Sequence, residues 1–220
     1  MASVASLREH LVEELNDLLN AEQQLIEALP KMAERASSRE LRAAFKAHLA
    51  ETRQHEKRAA QALKKLGEKA SGKTCEAMKG LLEEGQELMD GADAGALRDA
   101  MMITAAQKVE HYEIASYGTV GTYARVLGEK GVAALLEQTL KQEKAADKKL
   151  TAIAERSVNR RAAKEWQEQT GAAAAATGML QKGAEWIGST VSGAVKSVLP
   201  SQAADKPRKR SRGRSSKRAR

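Results

Sequence analysis

Apolar side chains return every three or four positions through most of the chain between Ser6 and Arg156, the period of a helix that buries one face. In the first such stretch they are Leu11, Leu15, Leu18, Leu25 and Leu29, and position 22 keeps the rhythm between them. The pattern predicts a helix from Ser6 to Arg35, with Pro30 kinking or ending its last turn. A second helix starts after the capping pair Ser37-Ser38 and runs to Leu66, where Gly67, Ser71 and Gly72 break it. A short helix from Cys75 to Met89 carries Met78, Leu81, Leu82 and Leu88 and closes at Asp90-Gly91. The third long helix spans Gly95 to Leu127, with Met102, Ala106, Val109, Val120 and Tyr123 on its seam. The fourth spans Val132 to Arg156, with Val132, Leu136, Leu150 and Ile153 on its seam.

These elements predict an all-α protein. The link between the second and third long helices is long and holds the short extra helix, whereas the other two links are short. That is the connectivity of a ferritin-like four-helix bundle, not of a simple up-down-up-down one. Residues 1–156 form the bundle in this reading. Residues 157–200 form a helical extension in which Leu180, Ile187, Val191, Val195 and Val198 recur at roughly helical spacing. This segment either folds back weakly on the bundle or lies amphipathically on a partner or membrane surface. Residues 201–220 read as a disordered basic tail.

What interrupts the seams is acidic. Glu22 takes a core seat among leucines, and Glu143 does the same between Leu136 and Leu150. Glu113 lies between Val109 and Val120, with Glu110 one turn earlier. His48, Glu51 and His55 share one stripe between Leu41 and Leu66. Each acid is near the midpoint of its helix, so helices packed side by side bring all five into one layer. Ionised and unpaired in an apolar interior, each would cost several kcal/mol. Protonation or a nearby Lys or Arg could relieve this, but the seams hold no such cation at that depth, and Arg58 stands two turns from Glu51. Two divalent cations would neutralise most of the cluster.

A single helical glutamate is most often a solvated surface residue; agreement of four helices in face and depth is what weakens that explanation. Glu22, Glu113 and Glu143 are the firmest, because apolar neighbours on both sides fix their facing. Glu51 and Glu110 stand somewhat off the stripe centre. His55 is balanced between a metal ligand and a core imidazole bonded to a carbonyl, and Asp147, one turn after Glu143, is a further candidate ligand. His48 reads as a packing or supporting residue and His111 as pointing away. Carboxylate oxygens with few imidazoles suit iron or manganese better than copper or zinc. Tyr112 or Tyr117 could lend an electron or a hydrogen bond, though packing explains both.

Residues 7–156 resemble the DUF892 or YciF-like branch of the ferritin-like superfamily. The resemblance is carried by Asn20-Ala21-Glu22-Gln23-Gln24-Leu25, by His48-Leu49-Ala50-Glu51-Thr52 and by Glu143-Lys144-Ala145-Ala146-Asp147. Its most specific stretch is Gln107-Lys108-Val109-Glu110-His111-Tyr112-Glu113-Ile114-Ala115-Ser116-Tyr117-Gly118. It implies a two-metal bundle of bacterial stress-response proteins, often homodimeric, with Glu22, Glu51, Glu110, Glu113 and Glu143 at the superfamily's carboxylate positions. The Glu110-x-x-Glu113 pair is similar to that of rubrerythrins. Gln54 and Ala146 stand where the wider superfamily has the histidine of Glu-x-x-His, and Glu51-x₃-His55 and Glu143-x₃-Asp147 appear instead.

The formal net charge is +8 from 37 Lys/Arg and 29 Asp/Glu. Lys206, Arg208, Lys209, Arg210, Arg212, Arg214, Lys217, Arg218 and Arg220 concentrate it; setting these nine and Asp205 aside leaves 28 residues of each sign in 1–204. The basicity therefore belongs to the tail, whose natural partner is a polyanion, DNA first and anionic lipid second, unless it is simply solvated. It has no aromatic side chain to stack on bases. A single cysteine excludes an internal disulfide framework. With no secretory h-region at the N-terminus, a bacterial cytoplasmic location, near the nucleoid if the tail holds DNA, is expected.

Two functions follow as expectations. One is a stress-related protein holding two iron or manganese ions and no organic cofactor, which oxidises Fe(II) or reduces O₂ or peroxide as a ferroxidase- or peroxidase-like oxidoreductase. The other is a non-enzymatic, dimeric DNA-binding or scaffold protein with a vestigial metal site.

Overall fold

The computed structural model describes residues 4–171. They form an all-helical bundle: α1 Leu7–Arg35, α2 Arg39–Lys65, α3 Glu76–Asp90, α4 Ala96–Val126 and α5 Lys130–Ile153. The long helices α1, α2, α4 and α5 make the four-helix bundle, with α1 packed on α2, α4 on α5, α2 on α5 and α1 on α4. The short α3 lies in the crossover and packs mainly against α4. The expectations for 172–200 and for the basic tail lie outside the described residues.

Local chemistry explains the helix ends. The Ser6 hydroxyl accepts from the Glu9 amide at 3.1 Å and opens α1. Ser38 does the same for α2 through the Leu41 amide, and the α4 carboxyl of Asp99 accepts from the amides of Ser37 (2.8 Å) and Ser38 (2.7 Å). The start of α2 is thus tied to a distant helix. The Cys75 thiol caps α3 by accepting from the Met78 amide. Gly128, at φ +78°, supplies the left-handed residue of the tight turn from α4 into α5.

The crossover is strapped down by amides on one face of α1. Asn16 accepts from the Ser71 amide at 2.7 Å, Asn20 accepts from the Cys75 amide at 2.8 Å, and Gln24 donates to the Cys75 carbonyl at 3.1 Å. Where α3 meets α4, a Cβ at Gly85 would stand 3.2 Å from that of Ala105, so the helices meet closely there.

Pro30 does not end α1, which continues to Arg35 with Met32 and Ala33 buried beyond it. Packing of that last turn outweighs the one lost amide bond. After α5 the helical extension begins with a π-helical turn, Ala154–Val158, and runs on as helix over 159–171. Glu165 on that helix accepts from the Ala96 amide at 2.9 Å and closes the start of α4.

The buried apolar residues fall into two clusters. One holds Leu25, Leu29, Phe45, Met102, Val109, Leu150 and Ile153. The other holds Leu11, Leu15, Leu18, Ala59, Leu63, Tyr117, Val120 and Leu136. Every long helix crosses from one cluster to the other at a polar residue: Glu22 in α1, His48 to His55 in α2, Glu110 and Glu113 in α4, Glu143 in α5. The core is therefore interrupted at mid-height by a single polar layer.

Candidate metal centre

Four of the five predicted carboxylates turn inward. Glu22, Glu113 and Glu143 have no measurable exposure and Glu110 has 3 %. The helical repeat accounts for this: each replaces an aliphatic residue at a seam position, and the leucines and valines on either side fix the face. His48 and His55 are buried beside them. They are seven residues apart, two turns on one helix face.

The polar atoms converge in two overlapping groups. One atom from each of His48, Glu110, Glu113 and Glu143 falls within 4.8 Å of the others, and so do atoms from Glu22, His55 and Glu143. Glu143 belongs to both. Its Oε1 lies 2.6 Å from His55 Nδ1 and its Oε2 lies 3.8 Å from His48 Nε2. His48 Nε2 is 3.3 Å from Glu110 Oε1, and His55 Nδ1 is 3.7 Å from Glu22 Oε2.

These groups are poorly satisfied by protein partners. Both oxygens of Glu113 and of Glu143, one oxygen each of Glu22 and Glu110, both ring nitrogens of His55 and Nδ1 of His48 are buried without a hydrogen bond. His55 and Glu143 approach closely without the alignment of a hydrogen bond. Such orphaned atoms are rare in folded interiors and mark a missing ion or proton. Glu22 does have one firm partner, the Tyr117 hydroxyl, which donates to Oε1 at 2.6 Å. Burial, then Glu22, push the Tyr117 phenol far above its usual range, so it remains a donor.

Burial dominates the electrostatics of the layer. Burial and the neighbouring Glu143 push Glu22 up to about 8. Burial pushes Glu110 to about 8 and Glu143 to about 7, and Glu113 rises well above the carboxylate range through burial and then Glu143. Burial alone would lower His48, but Glu51, Glu110 and Glu143 outweigh it and hold the imidazole up at about 9. Burial takes His55 down to about 4, leaving a neutral ring with a lone pair to offer.

Two predicted residues stand apart. Glu51 is 43 % exposed, 3.5 Å from His48 Nδ1, and joins neither group. His48 and its neighbours on α2 fill the inward positions, and Glu51 falls to the rim. Asp147 is engaged elsewhere: its Oδ1 accepts from Gln107 at 3.0 Å and lies 3.4 Å from the exposed His111. Conversely, His48, expected to be a packing or supporting residue, reaches the cluster directly. Its spacing from His55 was the available signal. Arg58 donates to Thr139 and Gln142 at the edge of the layer and ion-pairs with none of the buried carboxylates.

The description DUF892, a domain of unknown function, matches residues 6–163. The chain belongs to the DUF892 family. It is 46 % identical over 149 residues to Protein YciF of Escherichia coli K12, covering 67 % of this chain and 90 % of that protein. The crystal structure of the E. coli stress protein YciF superposes with a TM-score of 0.68 at 43 % identity, over 71 % of this chain and 99 % of the other. YcfI of Rhodopseudomonas palustris superposes with a TM-score of 0.67 at 41 % identity, over 70 % and 98 %. A Xanthomonas campestris protein shares the fold with a TM-score of 0.59 at 25 % identity, over 73 % and 99 %. As a DUF892 bundle, this chain carries a buried Glu/His cluster able to hold metal. Among the described residues, no helix is long and apolar enough to cross a membrane.

Proposed function

We propose that this DUF892 protein is a two-metal carboxylate oxidoreductase that takes iron or manganese into the polar layer and uses it against O₂ or peroxide, with Fe(II) as a substrate where iron is oxidised. The observation that carries it is the set of buried, partnerless oxygens and nitrogens on four helices, arranged as two groups that share Glu143. Glu110, Glu113 and His48 would hold one ion, Glu22 and His55 the other, and Glu143 would serve both. The donor set of oxygens with two imidazoles fits Fe(II), Fe(III) or Mn(II). Two such ions would supply paired one-electron changes at one place. The buried Glu22, Glu113 and Glu143 would hold the ions at the middle of the bundle. Tyr117 ties up one oxygen of Glu22 and leaves the other facing His55. Relatives that include a stress protein favour a protective role.

The test is metal analysis after anaerobic loading with Fe(II) or Mn(II). Wild type should hold about two ions per chain; Glu22→Gln should lose one, and Glu113→Ala or Glu143→Gln should lose more. Admitting air to the ferrous protein should raise absorbance near the ultraviolet edge. No ion retained above a Glu22/Glu113/Glu143 triple variant would sink the proposal.

The basic tail favours a second, compatible activity. Nine Lys/Arg within 206–220 suit a phosphate backbone and would tether the bundle to DNA as a homodimer. Gel shifts should then weaken steeply with salt and vanish on removal of 201–220. Persistence of the shifts without the tail would refute that attachment.

A further inference from the structure

A cavity of about 620 Å³ opens beside the polar layer. That is the size of a site for a small organic molecule. Its walls are mostly aliphatic or aromatic, including Leu25, Leu29, Phe45, Ala106, Val109 and Leu150, and all five helices contribute. At the edge of the candidate metal centre the lining is polar, with His48, Glu51 and Glu110; Gln24, Glu27, Glu83 and Gln86 border it elsewhere. Lysines 31, 79 and 149 also border it, and all three are exposed.

Two physical points make this more than loose packing. The cavity opens to solvent, so its apolar walls stay in contact with water unless something covers them. Water filling it would find few hydrogen-bond partners along these walls. The cavity also adjoins the apolar cluster next to the polar layer, sharing Leu25, Leu29, Phe45, Val109 and Leu150 with it. Small side chains keep it open: Ala28, Ala44, Ala105, Ala106 and Gly85 line it where bulkier residues would fill it.

We infer that this cavity binds a straight-chain aliphatic molecule with a single oxygen-bearing end, the chain lying along Leu25, Leu29, Val109 and Leu150 and the oxygen at His48 and Glu110. The inference deepens the two-metal reading by naming a ligand class for the same centre. The aliphatic walls themselves do not depend on metal.

The experiment is calorimetric titration of the full-length protein, metal-free and manganese-loaded, with 1-hexanol, 1-octanol and 1-decanol. Saturable binding should tighten by about fourfold for each added methylene. Ala106→Phe and, at the half-buried position beside it in the lining, Ala28→Phe should each weaken decanol binding at least tenfold while helicity and melting temperature hold or rise. Three results would overturn the inference: no saturable binding, affinity flat with chain length, or decanol binding untouched in both folded phenylalanine variants. If decanol binds but no metal does, the metal reading falls alone; if metal binds and decanol does not, the cavity inference falls alone.

Discussion

Protons and metal ions compete for the same atoms in the polar layer, and each side chain sets the sign of its own contribution. A carboxyl whose pKa is raised by folding keeps its proton in the native state after the unfolded chain has lost it, so stability falls as pH rises through that interval. Glu22 and Glu110, moved from 4.5 to about 8, and Glu143, moved to about 7, all act this way. His48, moved from 6.5 to about 9, adds to the loss above pH 6.5. His55, lowered from 6.5 to about 4, works in the opposite sense but only below pH 6.5. The metal-free protein should therefore lose thermal stability steadily from pH 6.5 to 9, followed by differential scanning calorimetry. Saturating Mn(II) should flatten or reverse that slope, because deprotonated ligands bind the ion better. A metal-free melting temperature that rises over the same range would contradict the buried carboxyls.

At the scale of elements, the joints are held by a few side chains from distant helices. Asp99 is fully buried on α4 and closes the start of α2 through two amides. Asp99→Ala would leave both donors without their partner and should cost about 2–4 kcal/mol, read by urea denaturation. Asp99→Asn, which keeps one acceptor oxygen, should cost less. This joint illustrates what the sequence could not disclose. The helices themselves were legible: the seams, the Ser37-Ser38 cap, the long crossover and the inward turn of Glu22, Glu113 and Glu143 all follow from residue type, period and spacing. Which element meets which depends on contacts across about sixty residues of chain, as with Asp99 and Ser38, and no local pattern encodes those. The same limit separates Glu51 from His48. They share a stripe in the sequence, but only the packed bundle decides that the imidazole enters and the carboxylate stays at the rim.

On the scale of the whole molecule, the two apolar clusters are separate solids joined through a charged seam. In most bundles the helices fray from their ends and are firmest at mid-length. Here the middle has the fewest satisfied contacts, with orphaned atoms concentrated at Glu22, His48, His55, Glu113 and Glu143. Amide hydrogen exchange in the metal-free protein should accordingly be faster around those positions than around Leu15, Leu63, Met102 or Val120, and metal should slow it there first. Uniform protection along α1, α2, α4 and α5 would refute this. A bundle built in this way has its weak plane at the waist, and whatever enters that plane acts as the rivet that turns two half-bundles into one rigid column.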